Sequence, residues 1–307
     1  MIKATKKIHY ERSFFDILVS IITYILYGAF AIICIYPFYY IFVNTISSNV
    51  LSAKGSIIFW PKEIHFQNYI DATHIPGLLN AALISIGRTV IGTVLTVFAT
   101  AFLGYLFTIE NLWHKKFWYR YIIITMYFNA GIIPWYITMR NLHMTNNFLA
   151  YILPGIVAPF NIILAKTFIE NIPKELEQAA EIDGAGTIKL FTHVILPVIK
   201  PILATVAIFT AVGQWNSFQD TLLLMTEDKL YSLQYILYQY INQASSLKSI
   251  ISSMNSTSNI AQILATAQTT TSIRMTVTII VVAPILLMYP LFQKNFVKGI
   301  MIGAVKG

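Results

Sequence analysis

The sequence predicts an all-α, polytopic membrane protein with six transmembrane helices. Hydrophobic residues make up 56% of its 307 residues and charged residues only 11%, whereas soluble domains carry about 25% charged residues and need a charged surface to stay dissolved. Six windows without a charged residue are long enough to cross a bilayer, which takes roughly 20 mostly apolar residues. This composition excludes a disordered chain, a collagen and a coiled coil, and it disfavours a cytosolic enzyme.

The charge-free windows set the position of each span. The first window is longer than one span, so we expect a helix from about Ile17 to Val43 and then a loop. The second window extends upstream through residues 78–87, which leaves Arg88 inside the span. Arg88 and Lys166 are expected to snorkel to the membrane interfaces. The six windows are residues 17–53, 89–109, 121–139, 141–165, 201–219 and 275–293.

A further charge-free window, residues 249–273, is too polar to span, because 15 of its 25 residues are Ser, Thr, Asn or Gln. We assign it to a long, partly helical external segment, residues 227–274. The first apolar run is too long for the core of a signal peptide and lacks a small-residue cleavage site. No cleavable signal is therefore expected.

The distribution of basic residues predicts the orientation. An even number of spans places both termini on one side, and Lys and Arg favour the cytoplasmic side. With the N-terminus inside, the internal segments hold 14 Lys/Arg and 8 Asp/Glu, and the rest of the chain holds 7 and 5. We expect a cytoplasmic segment 1–16, a transmembrane domain 17–293 and a cytoplasmic tail 294–307. The net charge of +8 then reflects topology rather than a nucleic-acid-binding surface.

The loop between the fourth and fifth spans, residues 171–197, predicts a helix–turn–helix at the inner membrane face. Pro173 suits the first turn of a helix, and Glu175 and Glu177 lie where the helix dipole favours anions. Gly184 can adopt the left-handed conformation that ends a helix. One face of this helix allows close approach by a partner, and its residues are Leu176, Ala179, Ala180 and Asp183.

The second half of the loop predicts a return to the membrane. Thr187 can cap a second short helix, and Pro197 is expected to open the fifth span. A solvated surface helix would explain the charges of the loop. It would not explain why Ala-Ala, Asp-Gly-Ala and Leu-Pro occur at these spacings from one another.

This loop resembles the EAA loop of ATP-binding-cassette (ABC) importer permeases, whose pattern is E-A-A-x₃-G-x₉-I-x-L-P. Gln178 stands where the family has Glu, and Val194 stands where it has Ile. In the family, that Glu is thought to form a salt bridge with an arginine of the ATPase. Gln178 carries no charge for this salt bridge, but the adjacent residue, Glu177, does. The matching residues are Ala179, Ala180, Gly184, Leu196 and Pro197.

The rest of the chain resembles the carbohydrate-uptake branch of type I ABC importers, specifically the smaller, six-span permease of maltose and oligosaccharide transporters. Residues 61–69 are similar to its external Pro…Asn-Tyr element, residues 215–218 match its W-N-x-F signature, and residues 296–307 match its C-terminal tail. The resemblance implies the type I permease fold with a cytoplasmic coupling helix in the 171–197 loop. It also implies a tail that reaches toward the ATPase with Lys298, Gly299, Gly303 and Lys306.

The resemblance further implies a heteromer. Its other members would be a second homologous permease, two copies of a cytosolic ATPase that bind ATP and magnesium, and an external sugar-binding lipoprotein. No catalytic residue is assigned to this chain, because it lacks the phosphate-binding G-x₄-G-K-[ST] pattern and an evident nucleophile–base pair. Its six histidines show no metal-ligand spacing, and its single cysteine, Cys34, excludes an internal disulfide.

We therefore expect a permease subunit that imports an oligosaccharide or glycan fragment across a bacterial plasma membrane. An amino-acid or peptide ABC importer is the first alternative, since the EAA loop is compatible with it and the tail is less so. A membrane-embedded enzyme acting on lipid or glycan is the second alternative.

Aromatic and amide side chains within the spans are candidates for the sugar pathway, because aromatic faces suit C–H surfaces and amides suit hydroxyls. An interfacial anchor role for the tryptophan and interhelical hydrogen bonds for the asparagines explain these residues equally well. The candidates are Trp215, Asn216, Asn161 and Asn129.

Overall fold

The structure is a computed structural model that describes residues 14–253 and 271–287, with the backbone alone for residues 244–253. Within these ranges all regular structure is helical. Several predictions lie outside the described residues. They concern the segment 1–13, residues 254–270 of the predicted external segment, the end of the sixth span from residue 288, and the tail residues Lys298, Gly299, Gly303 and Lys306.

The described residues form fourteen α-helices, three short 3₁₀ turns and one π-helical turn, Phe191–Ile195. The 3₁₀ turns are Phe148–Tyr151, Leu153–Gly155 and Asp228–Leu230. The helices of the first half are α1 Phe14–Thr45, α2 Asn49–Ala53, α3 Gln67–Thr73, α4 Leu78–Leu106, α5 Lys115–Tyr127, α6 Ile132–Asn141 and α7 Pro159–Glu170. Those of the second half are α8 Lys174–Ile182, α9 Thr187–Leu190, α10 Leu196–Val198, α11 Lys200–Asn216, α12 Gln219–Leu224, α13 Leu233–Ser253 and α14 Thr271–Leu287.

Two helices, α1 and α4, are each long and apolar enough to cross a membrane. Two bent pairs also qualify if each is one broken span: residues 148–155 with α7, bent by 43°, and residues 187–198 with α11, bent by 77°. Length and composition thus define two to four spans among the described residues, and the count of six stays a prediction. The helix predicted over Ile17 to Val43 is observed as α1, which continues through Pro37.

Glycine and proline divide the predicted third and fourth spans. The window 121–139 is split between α5 and α6, because Gly131 adopts a positive φ of 87° just before α6 begins. The window 141–165 contains two of the 3₁₀ turns, 148–151 and 153–155, and its longest regular helix starts only at Pro159. Proline lacks the amide donor that a continuous helix needs. Each of these two windows therefore contains an interrupted helical segment and not one continuous helix.

Helix α4 is the centre of the described bundle and packs against α11, α7 and α13. Its contact with α7 is very close, since a Cβ added at Gly104 would lie 2.9 Å from Cβ of Ala165. Small residues allow such backbone approach between membrane helices. In contrast, the apolar window of α1 has no residue buried against the rest of the chain, so its side chains are available to lipid or to another chain.

Residues 61–69 fasten the end of α1. The Asn68 Nδ2 donates to the carbonyl oxygen of Thr45 at 2.8 Å and to Oδ1 of Asn49 at 2.9 Å. The hydroxyls of Tyr69 and Thr45 lie 2.8 Å apart. These bonds satisfy backbone and hydroxyl groups freed where α1 ends, which gives the Asn-Tyr pair of this element a structural role.

The contact at Gly104 generates a stability prediction. The change Gly104→Ala forces α4 and α7 apart and is expected to lower stability by about 1–3 kcal/mol, seen as a lower thermal unfolding midpoint of the detergent-purified protein. Gly28→Ala on α1 is the matched control, because no atom lies within 4 Å of a Cβ placed there. Equal midpoints for the two variants would contradict the close helix contact.

Candidate functional site

The 171–197 loop has the predicted helix–turn–helix shape, with shifted boundaries. Pro173 directly precedes α8 instead of lying in its first turn, and Glu175 and Glu177 do lie in that turn. Gly184 adopts a left-handed φ of 76°, and the amide of Ala185 donates to the carbonyl oxygen of Ala180 at 2.9 Å. This hydrogen bond closes the C-terminal turn of α8 in the manner of a glycine-terminated helix.

The second half of the loop differs from its prediction at two points. Gly186 occupies the capping position of α9, and Thr187 is the first helical residue. Pro197 lies inside the helical segment 187–198, and the next long helix starts after a 77° bend at α11. Pro201, in the first turn of α11, occupies the position expected for Pro197.

The loop exposes apolar side chains beside its acidic ones. Ile182 is 86% exposed and Ile188 75% exposed, and Gln178 and Ala179 are also exposed. Ala180 is half-buried and packs against the apolar cluster below the loop. Large exposed apolar side chains beside charged ones are typical of a surface that another protein covers.

Aromatic packing attaches this loop to α4. The ring of Phe191 stacks on Tyr105, with centroids 5.3 Å apart, and meets Phe102 edge-on at 5.8 Å. The Tyr105 hydroxyl also donates to the carbonyl oxygen of Thr187 at 3.3 Å. Because Phe191 and Tyr105 are both buried, a displacement of the loop would act directly on α4.

The surroundings of one carboxyl of the loop, that of Glu177, disfavour its ionised form. Burial raises the pKa of Glu177 above its usual range, and the nearby Glu181 carboxylate raises this pKa further. A partner that brings a positive charge close to Glu177 would stabilise its ionised form.

A groove of about 360 Å³ opens beside α4, α11 and the 3₁₀ turns 148–151 and 153–155. Its lining combines aromatic, amide and hydroxyl groups, which suit the C–H faces and hydroxyls of a sugar. Arg88 and Asp220 also border it. Further lining residues with aromatic, amide or hydroxyl groups are Thr96, Trp135, Tyr151, Asn161, Thr210 and Gln214.

Arg88 is paired inside the protein, so the expectation that it snorkels is wrong. It is only 2% exposed, and its Nη1 and Nη2 atoms contact Oδ1 and Oδ2 of Asp220 at 3.1 and 2.5 Å. The helical chain breaks after Asn216 and returns through α12, which carries Asp220 to Arg88. An ionisable residue within a span usually pairs with another group inside the protein. Applied to Arg88, this rule would have pointed to Asp220, the acidic residue that directly follows the fifth predicted span.

Lys166 is also engaged within the protein. Its Nζ contacts Oε1 of Glu170 at 2.6 Å and lies 4.6 Å from the centroid of the Tyr119 ring. Its side chain is 13% exposed. The expected extension of Lys166 into the interface is therefore replaced by an ion pair along α7.

The structure brings only one of the four sequence-predicted pathway residues to this groove, Asn161. Trp215 donates from Nε1 to the carbonyl oxygen of Val281 at 3.0 Å and packs against α13 and α14. Asn216 accepts at Oδ1 from Gln234 Nε2 at 3.0 Å. Asn129 accepts at Oδ1 from the amide of Gly131 at 2.9 Å. Pathway roles for these residues stay predictions.

Within residues 14–253 and 271–287, no group of three His, Cys, Asp or Glu side chains is placed to hold a metal ion.

The sequence is similar over nearly its whole length to known transport proteins, although it matches no family model. It is 33% identical to Protein LplC of Bacillus subtilis, across 91% of this chain and 92% of that protein. It is 31% identical to the polygalacturonan/rhamnogalacturonan transport system permease protein YtcP of Bacillus subtilis, across 91% and 94%. The arabinooligosaccharides transport system permease protein AraQ of Halalkalibacterium halodurans is 25% identical, across 85% and 86%.

A solved structure matches the fold. It is a chain of a bacterial ABC transporter involved in the import of the acidic polysaccharide alginate. The TM-score is 0.79 at 28% sequence identity, and the match covers 92% of this chain and 98% of that chain.

The glycine-terminated turn of α8 generates a prediction about local order. Gly184→Val places a β-branched residue at φ 76°, a conformation that costs an L-residue about 1–2 kcal/mol, so we expect the end of α8 to fray. Faster hydrogen–deuterium exchange of the amides of residues 179–185 would report the fraying.

Gly186→Val is the matched control. Gly186 has an extended backbone with φ −72° and open space around a Cβ, so exchange in this variant should stay close to that of the wild type. Equal exchange in the two variants would contradict the role of the left-handed turn.

Proposed function

The chain belongs to the permease subunits of carbohydrate ABC transport systems, and from this premise we propose that it forms one half of the pathway by which an oligosaccharide or glycan fragment enters a bacterial cell. The observation that carries the proposal is the 31% identity, across more than nine-tenths of both chains, to the polygalacturonan/rhamnogalacturonan permease. As a permease, the chain is an integral membrane protein and not an enzyme, and ATP is hydrolysed by a separate subunit of the transporter. No relative named above favours an amino-acid or peptide substrate.

The proposed topology has six spans in the plasma membrane, with both termini in the cytoplasm. Its support is the excess of Lys and Arg in the segments that this orientation makes cytoplasmic. An ABC importer permease works with an ATPase and a substrate-binding protein. The proposed assembly contains a second homologous permease, two copies of the ATPase with bound ATP and magnesium, and an external sugar-binding lipoprotein.

In this proposal α8 is the coupling helix that docks on the ATPase. Exposed Ile182 and Ile188 would supply the apolar contact, and Glu177 the charge that meets a basic group. The raised pKa of Glu177 supports this assignment, because an opposite charge would relieve an unfavourable environment. Glu177 would then take over part of the role that Gln178 lacks. The docking set also includes Glu175, Ala179, Ala180, Asp183, Gly184, Leu196 and Pro197.

Movement of the docked loop would reach the membrane through α4. The buried stacking of Phe191 on Tyr105 supports transmission as a rigid-body motion. ATP and the loaded binding protein would favour the outward-facing state over the inward-facing one.

The sugar is proposed to pass along the groove beside α4 and α11. Trp135 and Tyr151 offer aromatic faces, whereas Asn161 and Gln214 offer amides to the hydroxyls. The names of two relatives above indicate trigalacturonate and arabinotriose as probes. Raffinose is added because the chain is also 26% identical to the melibiose/raffinose/stachyose import permease protein MelC of Bacillus subtilis.

The function is tested by deleting the gene for this chain and measuring uptake of these three radiolabelled sugars and of a labelled dipeptide. We expect uptake of at least one sugar to fall tenfold or more, and to recover on complementation with the wild-type gene. Uptake of the dipeptide should stay unchanged. Loss of dipeptide uptake with all three sugars unaffected would reject the carbohydrate assignment.

Docking by α8 is tested by the change Ala179→Arg. Because Ala179 is exposed, the bulky side chain should leave the fold intact and reduce copurification of the ATPase with the tagged permease at least fivefold. Ala53→Arg is the matched control, an exposed alanine on α2, which the proposed topology places on the opposite side of the membrane. Gln178→Glu should retain or increase copurification, since it restores the carboxylate of the family pattern. Full copurification with Ala179→Arg would exclude this docking face.

A further inference from the structure

The ion pair between Arg88 and Asp220 joins two parts of the chain that are distant in sequence, and both residues line the groove. Arg88 lies on α4 and Asp220 on α12, with side chains that are 2% and 14% exposed. Two N–H···O contacts, one to each carboxylate oxygen, connect them. A bidentate pair of this kind fixes orientation as well as distance.

Arg88 also completes the broken end of α11. The helix ends at Asn216 and Ser217 is extended, so carbonyl groups of the last turn lose their helical donors. The Nη1 atom of Arg88 donates to the carbonyl oxygen of Ser217 at 3.3 Å. The cation thus lies at the negative end of the helix dipole, where it is favourable.

The same guanidinium holds two lining residues. Its Nε and Nη2 atoms donate to Oε1 of Gln214 at 3.2 and 3.0 Å, and its central carbon lies 4.3 Å from the centroid of the Tyr151 ring. Gln214 Nε2 in turn donates to the carbonyl oxygen of Tyr151 at 3.3 Å. Gln214 has little free room, because a Cβ added at Gly92 would come within 3.0 Å of its Nε2 atom.

Tyr151 is held from its other side by α12 and the segment that follows. Its hydroxyl donates to the carbonyl oxygen of Leu230 at 2.7 Å and contacts Oγ1 of Thr221 at 3.0 Å. Thr221 follows Asp220 directly and its amide donates to Oδ1 of Asp220 at 2.9 Å. The Asp220 carboxylate therefore holds the Arg88 guanidinium and also the backbone of Thr221, whose hydroxyl contacts Tyr151.

We propose that Arg88 and Asp220 are a positioning pair that holds Gln214 and Tyr151 in the translocation groove and thereby sets how tightly the groove engages the sugar. The inference rests on the proposed function, because it assumes that the sugar passes along this groove. The pair acts through the two lining residues and need not touch the sugar.

A buried ion pair by itself is weak evidence of stabilisation. Replacement of both partners by apolar residues of similar volume is often neutral for stability, whereas removal of one partner leaves an uncompensated charge. The double change Arg88→Met with Asp220→Leu therefore removes the orientation that the pair provides and keeps the volume. It separates positioning from simple support of the fold.

The test uses the complete transporter, purified through a tag on this chain and reconstituted into proteoliposomes with its binding protein. Uptake of radiolabelled trigalacturonate, arabinotriose and raffinose is measured over a range of concentrations. For the sugar that the wild type transports, the Arg88→Met/Asp220→Leu variant is expected to raise the concentration for half-maximal uptake tenfold or more. Assembly of the complex is checked by size-exclusion chromatography.

Matched variants identify the path of the effect. Lys166→Met with Glu170→Leu removes an ion pair on α7 and should leave half-maximal uptake within twofold of wild type. Gln214→Leu should reproduce most of the effect of the double variant. Combining Gln214→Leu with the double variant should add less than twofold, because residues that act as one unit are not additive.

If the double variant does not assemble, Arg88→Lys provides the measurement, since lysine keeps the charge and loses the bidentate fork. A fivefold or greater rise in the half-maximal concentration is then expected. An assembled double variant or Arg88→Lys variant with wild-type half-maximal uptake would overturn the inference alone, as would full additivity with Gln214→Leu. Absence of uptake of all three sugars by the wild-type complex would overturn the proposed function and the inference together.

Discussion

The absence of water in a bilayer governs this structure, because backbone polar groups and charged side chains inside it need a partner from the protein. Arg88 shows the consequence most clearly. Its guanidinium is surrounded by the Asp220 carboxylate, the Gln214 amide and the Ser217 carbonyl. The break between α11 and α12 supplies the Ser217 carbonyl and the Asp220 carboxylate to Arg88, and Arg88 supplies donors to both. The charges of Arg88 and Asp220 compensate each other. All four of these residues line the groove.

Helix α4 connects the two candidate sites. Arg88 on this helix contacts the groove, and Tyr105 contacts the 171–197 loop. The 17 helical steps from Arg88 to Tyr105 span about 25 Å at the rise of 1.5 Å per residue. A continuous helix of that length is stiff, and its close contact with α7 at Gly104 leaves little room for independent movement. In the proposed transporter, a motion of the docked loop and a change at the groove would therefore be linked through one element.

The 171–197 loop combines rigidity on one side with exposure on the other. Phe191 and Leu190 are buried against α4 and α7, whereas Ile182 and Ile188 on the opposite side are largely exposed. Glu177, whose pKa is raised by burial and by Glu181, precedes Gln178, the position at which the chain departs from the family pattern. A surface of this kind suits a partner that brings both apolar area and positive charge.

The sequence alone was sufficient for the features that depend on local pattern. Apolar composition predicted the helical, membrane-embedded class, and proline, glycine and acidic residues predicted α8 and its left-handed end at Gly184, because these properties are set within one or two helical turns. The resemblance of the loop and of residues 215–218 also led to the correct family. Tertiary structure alone decided the partner of Arg88, since Asp220 lies 132 residues away and reaches it only after the chain breaks and folds back. It likewise directed Trp215 toward α14 and Asn161 toward the groove, because the direction of a side chain on a buried helix depends on the neighbours that pack around it.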